Sequence, residues 1–399
     1  MPRHSPKMSQ LEAKLFQPIQ VGNLQLSHRV VLPPLTRFRP GDDHVPNDMM
    51  VTYYRQRASV PGTLLIAEST FIAPKAGGMD NFPGIWSDEQ VEAWKKVVDA
   101  VHAQGSYIFL QLLALGRAAV PVVLTRPDSP SNPGGPYPLV GPSAIPIPTA
   151  DQSIIPRPLT HEEILEYIDL YGQAAHNAVH GAGFDGVEVH GAHGCLVDQF
   201  IQDVSNKRTD QWGGSIENRI RFPLEVIKKV VSIVGQERTG LRLSPFNPFQ
   251  GMRMDHPYPT FAALASFLRE AHPRLAYLHV IEPRNAAGVD RDPLPGESTE
   301  FLRLIWQGPS SDENGSAYIS AGGYSPEEAI ETAEKKGILI AFGRHFIANP
   351  DLPARIKKGI PLTPYNRSTF YAPGNADGYA DYAFADKEAE ENYKSFDKF

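Results

Sequence analysis

The stretch AYISAGGYSPEEAIETAEKKGILIAFGR, Ala317 to Arg344, reads as a strand, a helix and a second strand in immediate succession. AYISA and ILIAF lack the polar alternation that one solvated face would impose, so both strands are expected to be buried on two sides. A buried strand, a helix and a parallel buried strand make one unit of an α/β sheet.

The same unit recurs in both directions from this segment. Strands are expected at Arg29–Leu35, Gly62–Ser69, Ser106–Leu113, Phe184–Gly191, Thr239–Pro245 and Ala276–Pro283, ahead of Ala317–Gly323 and Gly337–Arg344. Helices are expected at Asn47–Ser59, Ser87–Gly105, Thr160–Val179, Arg219–Val234, Phe261–Ala271, Glu300–Trp306, Ser325–Lys336 and Asp351–Lys358. Ser87 with Gln90 and Thr160 with Glu163 form capping boxes at two of these helix starts. Eight strand–helix pairs predict a (β/α)8 TIM barrel, with a doubly wound open sheet as the second architecture.

The 399 residues are expected to form one domain, residues 1–399, interrupted after the third strand by a proline- and glycine-rich insertion at about 121–159. An insertion of that length is expected to be a cap or lid, with a disordered excursion as the alternative. A polar tail from about residue 376 is expected on the outside of the barrel.

A net charge of −7 argues against a broad nucleic-acid or anionic-membrane surface, while leaving room for a local basic pocket. A single cysteine excludes an intrachain disulfide framework. The opening residues lack the apolar core of a secretion signal, and no run reaches the ~18 apolar residues of a membrane span. A cytoplasmic monomer or homodimer is therefore expected, and the glycosylation-type triplets at Asn314 and Asn366 are read as chance.

In a barrel, chemistry gathers at the C-terminal ends of the strands. Those ends carry Thr36, Ser69, Gln111, His190 with His193, Arg242, Glu282, Gly322 with Gly323, and Gly343 with Arg344. Glycines after strand seven and Gly-Arg after strand eight suit a phosphate, because backbone amides approach closely and an arginine adds a bidentate partner. Arg242, in an otherwise apolar strand, is costly unless it meets an anion; a structural salt bridge is the other reading. Flavin mononucleotide has both a phosphate and a ring that becomes anionic on reduction. Gln111 and Thr36 are uncharged hydrogen-bonding groups suited to that ring's edge. By contrast, Gly181–Gly186 satisfies G-x-G-x-x-G but follows a helix and precedes a strand, so it is read as an ordinary turn.

Taken together, FQPIQVGNLQLSHRVVLPPLTR, YYRQRASVPGTLLIAEST, NKRTDQWGGSIENRIRF, GLRLSP, AFGRHFIANPDLP and TFY resemble the old yellow enzyme family, in its yeast and fungal branch. The resemblance runs from about Leu15 to Asp381. It implies an FMN-dependent ene-reductase that uses NADPH to reduce the C=C bond of α,β-unsaturated aldehydes and ketones, by hydride transfer from flavin N5. It implies that His190 and His193 hold the substrate carbonyl. Pro34, Thr36, Ser69, Gln111, Arg242, Gly322, Gly323, Gly343 and Arg344 are implied to hold the cofactor, and Leu113, Phe249 and Tyr371 to line the substrate site.

Two positions depart from the family pattern. Cys195 stands where most members carry a proton-donating tyrosine. A free thiol's pKa of about 8.5 lies below a phenol's ~10, so acidity leaves the role open; the short, weakly donating side chain argues against it. The expectation is that a water near Cys195 and the histidines supplies the proton. Leu113 replaces a bulky tryptophan and implies a wider pocket. A flavin-dependent isomerase or reductase acting on a bulky fungal secondary metabolite is the alternative function. A metal-dependent barrel hydrolase using His190, His193 and Cys195 is the remote one, because Arg242 would repel a cation; no metal is expected.

Overall fold

The computed structural model describes residues 12–308 and 316–395. Asn314 and both chain ends lie outside the described residues. Eight parallel strands close into a barrel: β1 (Val30–Leu32), β2 (Leu64–Phe71), β3 (Tyr107–Leu113), β4 (Gly186–Gly191), β5 (Thr239–Leu243), β6 (Tyr277–Ile281), β7 (Ala317–Ala321) and β8 (Leu339–Ala341). Neighbours in sequence are neighbours in space, β5 pairs with β6, and β8 closes onto β1. The open doubly wound sheet is thereby excluded.

The outer ring is α1 (Asp48–Arg57), α2 (Asp88–Ala103), α3 (His161–His176), α4 (Ile216–Val234), α5 (Pro257–Ala271), α6 (Glu300–Gln307), α7 (Pro326–Lys336) and α8 (Leu352–Lys358). The capping boxes at Ser87 and Thr160 are both made. β1 is shorter than expected because Pro33 and Pro34 have no N–H to continue the ladder. α4 begins earlier than Arg219 because Ser215 caps it by accepting from the Asn218 N–H. Beyond His176 the chain continues as a π turn over Asn177–Gly181, and Gly181–Gly186 leads it into β4.

The core has two layers. Val31, Ile66, Phe109, Ile319 and Leu339 point into the barrel. A larger layer, including Trp94, Ile164, Phe222 and Trp306, fills the space between strands and helices. An antiparallel hairpin, Ile19–Val21 with Leu24–Leu26, adds Val21 and Leu26 to the barrel's own core. It is an addition to the elements expected from the sequence, since three-residue strands leave almost no period to read.

Between β3 and α3 the chain is ordered into short turns tied to the body. Val140–Gly141 pairs with Arg157–Pro158, and Arg117 donates to the carbonyls of Ile145 and Gln250, linking the insertion to the loop after β5. The C-terminal segment crosses α1. Tyr379 is buried and stacks on Tyr53 at 4.3 Å, while the Arg37 and Arg39 guanidinium groups donate to carbonyls between Thr369 and Gly378. Among the described residues no helix is long and apolar enough to cross a membrane.

Candidate active site

A cavity of about 520 Å³ opens at the C-terminal mouth of the barrel. Pro34, Thr36, Ser69, Leu113, His190, His193, Cys195, Arg242, Phe249, Gly322, Gly323, Gly343, Arg344 and Tyr371 all line it. Gln111 does not. It is fully buried beneath Ser69, accepting from the Ser69 hydroxyl and donating to Glu188 Oε1 at 2.7 Å. Ser69 reaches the wall because the pairing of β2 with β3 slips between Ala67 and Thr70, and such a bulge re-aims side chains.

Local backbone geometry assembles the H-x-x-H-x-C segment. β4 ends at Gly191, and the chain then takes two consecutive left-handed residues, His193 (φ 56°) and Gly194 (φ 75°). For a non-glycine residue that conformation is strained. Here the His193 N–H donates to Ser244 Oγ at 2.9 Å and the Gly194 N–H to Asp198 Oδ2 at 2.9 Å. The reversal carries Cys195 to the start of the helical turn Leu196–Ile201 and sets the two imidazoles 5.5 Å apart between centroids.

Electrostatics at this end are dominated by burial. His193 is pushed down to about 3, first by desolvation and then by Arg242 and His279. His190 falls well below its ordinary value for the same first reason, with His193 and Arg242 adding to it. Both imidazoles are therefore neutral near pH 7. His190 Nδ1 and Arg242 Nε are buried without a hydrogen-bond partner among the described residues. Such atoms normally find one.

Burial also pushes the Cys195 thiol up, and Asp198 adds to the effect. This corrects the sequence-based expectation that thiol acidity leaves the proton-donor role open: the buried thiol holds its proton more tightly than a free one. Cys195 packs with Leu113, Phe71 and Phe82 in a small apolar cluster.

At the opposite end, the Arg344 guanidinium lies against Gly323 and grips Asp290 bidentately, at 2.8 and 2.5 Å. Gly323 has φ +70°, and a Cβ there would meet Arg344 Nη2 at 2.8 Å and Asp290 Oδ1 at 2.9 Å. Only glycine leaves this corner open. A site with an unpartnered buried guanidinium nitrogen under one end and a glycine-walled arginine at the other fits the chemistry of a flavin mononucleotide, which has an electron-accepting ring and a phosphate.

Several participants escaped the sequence reading. Glu188 and His279 sit inside the barrel below the cavity, with Nδ1 to Oε2 at 2.8 Å, and Arg242 lies beside both strands in register. Their signal was available: like Arg242, each is a polar residue in an otherwise apolar strand, one turn of the pleat below the strand end. Asp198 and Asp290 had no such signal, because they lie in short extra elements, the helical turn Leu196–Ile201 and the pair Val289–Asp290, outside the repeating strand–helix pattern. Among the described residues no group of three or more His, Cys, Asp or Glu is placed to hold a metal ion.

Comparison with known proteins identifies the family of the chain. The sequence model of the NADH:flavin oxidoreductase / NADH oxidase family matches residues 14–363. Chanoclavine-I aldehyde reductase fgaOx3 of Penicillium roqueforti (strain FM164) is 49% identical, over 93% of this chain and 96% of that protein. The probable inactive reductase easA of Epichloe festucae var. lolii is 46% identical, over 96% and 98%. The crystal structure of old yellow enzyme from Pichia sp. AKU4542 superposes with a TM-score of 0.83 at 39% identity, covering 94% of this chain and 95% of that one. The chain belongs to the NADH:flavin oxidoreductase / NADH oxidase family, on its fungal old yellow enzyme branch, and is an NAD(P)H-dependent oxidoreductase whose cofactor is FMN.

Proposed function

We propose that the protein reduces the C=C bond of α,β-unsaturated aldehydes or ketones with NADPH. Bound FMN supplies the hydride chemistry that links the nicotinamide to the substrate. Thr36, Ser69 and Arg242 would hold its ring with Pro34 beside them, Gln111 would act through Ser69, and Gly322, Gly323, Gly343 and Arg344 would take the phosphate.

The observation that carries this reading is the pair of neutral imidazoles at the end of β4, His190 buried with an unpartnered Nδ1 and His193 half-buried at the cavity wall. Two neutral imidazoles each offer one N–H to a carbonyl oxygen, which draws charge from the β-carbon and stabilises the developing enolate. Being neutral, they are poor sources of the proton the α-carbon must receive. Cys195 is a weak donor with a tightly held proton, so water admitted between it and the histidines is the donor in this reading.

Leu113 leaves room for a bulky substrate, and the 121–159 insertion, tied through Arg117 to the loop after β5, would act as a cap beside the cavity rather than as part of its wall. The relative that acts on chanoclavine-I aldehyde supports a large fungal metabolite as the natural substrate. A cytosolic setting is part of the same reading, supported by the single unpaired thiol. Cys195 also favours a second reading: where protonation of the α-carbon is slow, addition reverses first and the net outcome is isomerisation.

The test is anaerobic turnover of the purified protein with NADPH and a panel of enals and enones, with products identified. Saturated carbonyl products support the first reading, and E/Z isomerisation of the same double bond without net NADPH consumption supports the second. Cys195→Tyr is expected to raise cyclohexenone reduction by about tenfold or more, leaving NADPH consumption without enone unchanged. Neither product from any enal or enone would sink both readings.

A further inference from the structure

The bidentate edge of Arg344 is already taken, by Asp290 of the same chain. A carboxylate and a phosphate monoester present the same pair of acceptors to a guanidinium fork. The ion pair stands on the open side of Gly323, where a side chain would strike both partners. Arg284 and Arg367 also act on Asp290, so this corner gathers three cations around one carboxylate.

The carboxylate is placed to yield. Its side chain is 62% exposed, against 18% for Arg344. It sits at the end of a minimal antiparallel pair, Asn285–Ala286 with Val289–Asp290, turned by Gly288. Gly288 has no neighbour within 4 Å of where a Cβ would stand, and its carbonyl accepts from the Arg367 guanidinium. Little packing opposes movement of this hairpin, whereas the arginine is anchored on the barrel rim.

We propose that Asp290 is a built-in competitor for the cofactor phosphate, so that its ion pair with Arg344 lowers the protein's affinity for FMN. The proposal rests on the assignment of Gly322, Gly323, Gly343 and Arg344 to that phosphate. Two anions cannot share one guanidinium edge, and the affinity for an incoming ligand falls by the fraction of protein in which the edge is occupied. The flavin ring is indifferent to this contest; only the phosphate meets it.

Purified holoenzyme, serially diluted to equilibrium, reports the dissociation constant through the fluorescence of released flavin. The measurement is made on the wild type, Asp290→Asn and Arg344→Met, each loaded with FMN or with riboflavin, which has no phosphate. Asp290→Asn is expected to tighten FMN by roughly tenfold and to leave riboflavin within about twofold. An unchanged FMN affinity overturns the proposal. A weakened one also does, since it makes Asp290 a group that orients Arg344 rather than competes for it. Arg344→Met is expected to weaken FMN much more than riboflavin; an equal effect on the two removes the phosphate assignment itself, and the proposal with it.

Discussion

Two aspartates stand behind opposite ends of the cavity, neither of them in its lining, and physics treats them in opposite ways. Asp290, exposed at the Arg344 end, is held below the usual carboxylate range by the Arg344 guanidinium. Asp198, beneath Cys195 at the β4 end, is wholly buried, and desolvation pushes it up to about 7 although Gln202, the Gly194 N–H and Arg117 oppose the rise. One end keeps its charges paired and in contact with water. The other end strips charge away and leaves neutral donors aimed into the cavity. In the first arrangement a guanidinium is held by an exposed carboxylate that an incoming anion would have to displace; the second suits activating a neutral carbonyl.

The largest effect that can break this comparison lies at the neutral end. If His190 and His193 are the donors to the carbonyl oxygen, removing both by His190→Ala with His193→Ala lowers kcat for enone reduction by roughly 10²–10³, as loss of oxyanion donors does. Flavin content, read from the visible absorbance of the purified protein, stays at the wild-type level. A double variant that keeps wild-type kcat would show that the imidazoles are wall and nothing more.

Much of this is legible in the sequence, for identifiable reasons. Buried parallel strands leave continuous apolar runs, and their C-terminal ends follow automatically, so Thr36, His190, Arg242 and Arg344 can be assigned to the mouth of the barrel from the order of residues alone. Gln111 shows the limit of that reasoning. Its strand position is right, but whether a side chain faces the cavity or the interior depends on Ser69 and Glu188, which lie on other strands. The acidity of Cys195 fails differently: a thiol's ordinary value says nothing about burial beside a carboxyl. Asp198 and Asp290 are invisible because their roles come from through-space partners. His193 in the left-handed region is equally hidden, since Ser244 fixes that conformation from the next strand.

A pH experiment sharpens the contrast between the aspartates. Because the folded protein raises Asp198 from 3.8 to about 7, it favours the neutral form. The resulting stability is fully present below about pH 4 and is lost as pH rises through 7. Glu68, buried and raised to about 7, acts in the same direction, and His28 and His193, lowered to about 4 and 3, act in the opposite one. Comparing the wild type with Asp198→Asn cancels those shared groups. The wild type is expected to lose about 1–4 kcal/mol relative to the variant between pH 4 and 7, measured by urea unfolding. Parallel curves would mean that Asp198 is ionised in the fold and that the β4 end is less dry than its geometry indicates.

The smallest expected effect is the most discriminating within the β4 end itself. Cys195 shares the turn with His193 and lines the same cavity, yet its thiol is buried, protonated and packed with Leu113, Phe71 and Phe82. A side chain that neither ionises nor makes a strong hydrogen bond has little to give a transition state. Cys195→Ala is therefore expected to change kcat for enone reduction by no more than about twofold, while removing one buried sulfur costs on the order of 1 kcal/mol of stability. The solvent isotope effect should persist in the variant, because water rather than the thiol delivers the proton. A tenfold loss of kcat with the isotope effect abolished would transfer the proton-donor role to Cys195. The division would then run within this turn, between two histidines that bind oxygen and a cysteine that protonates carbon.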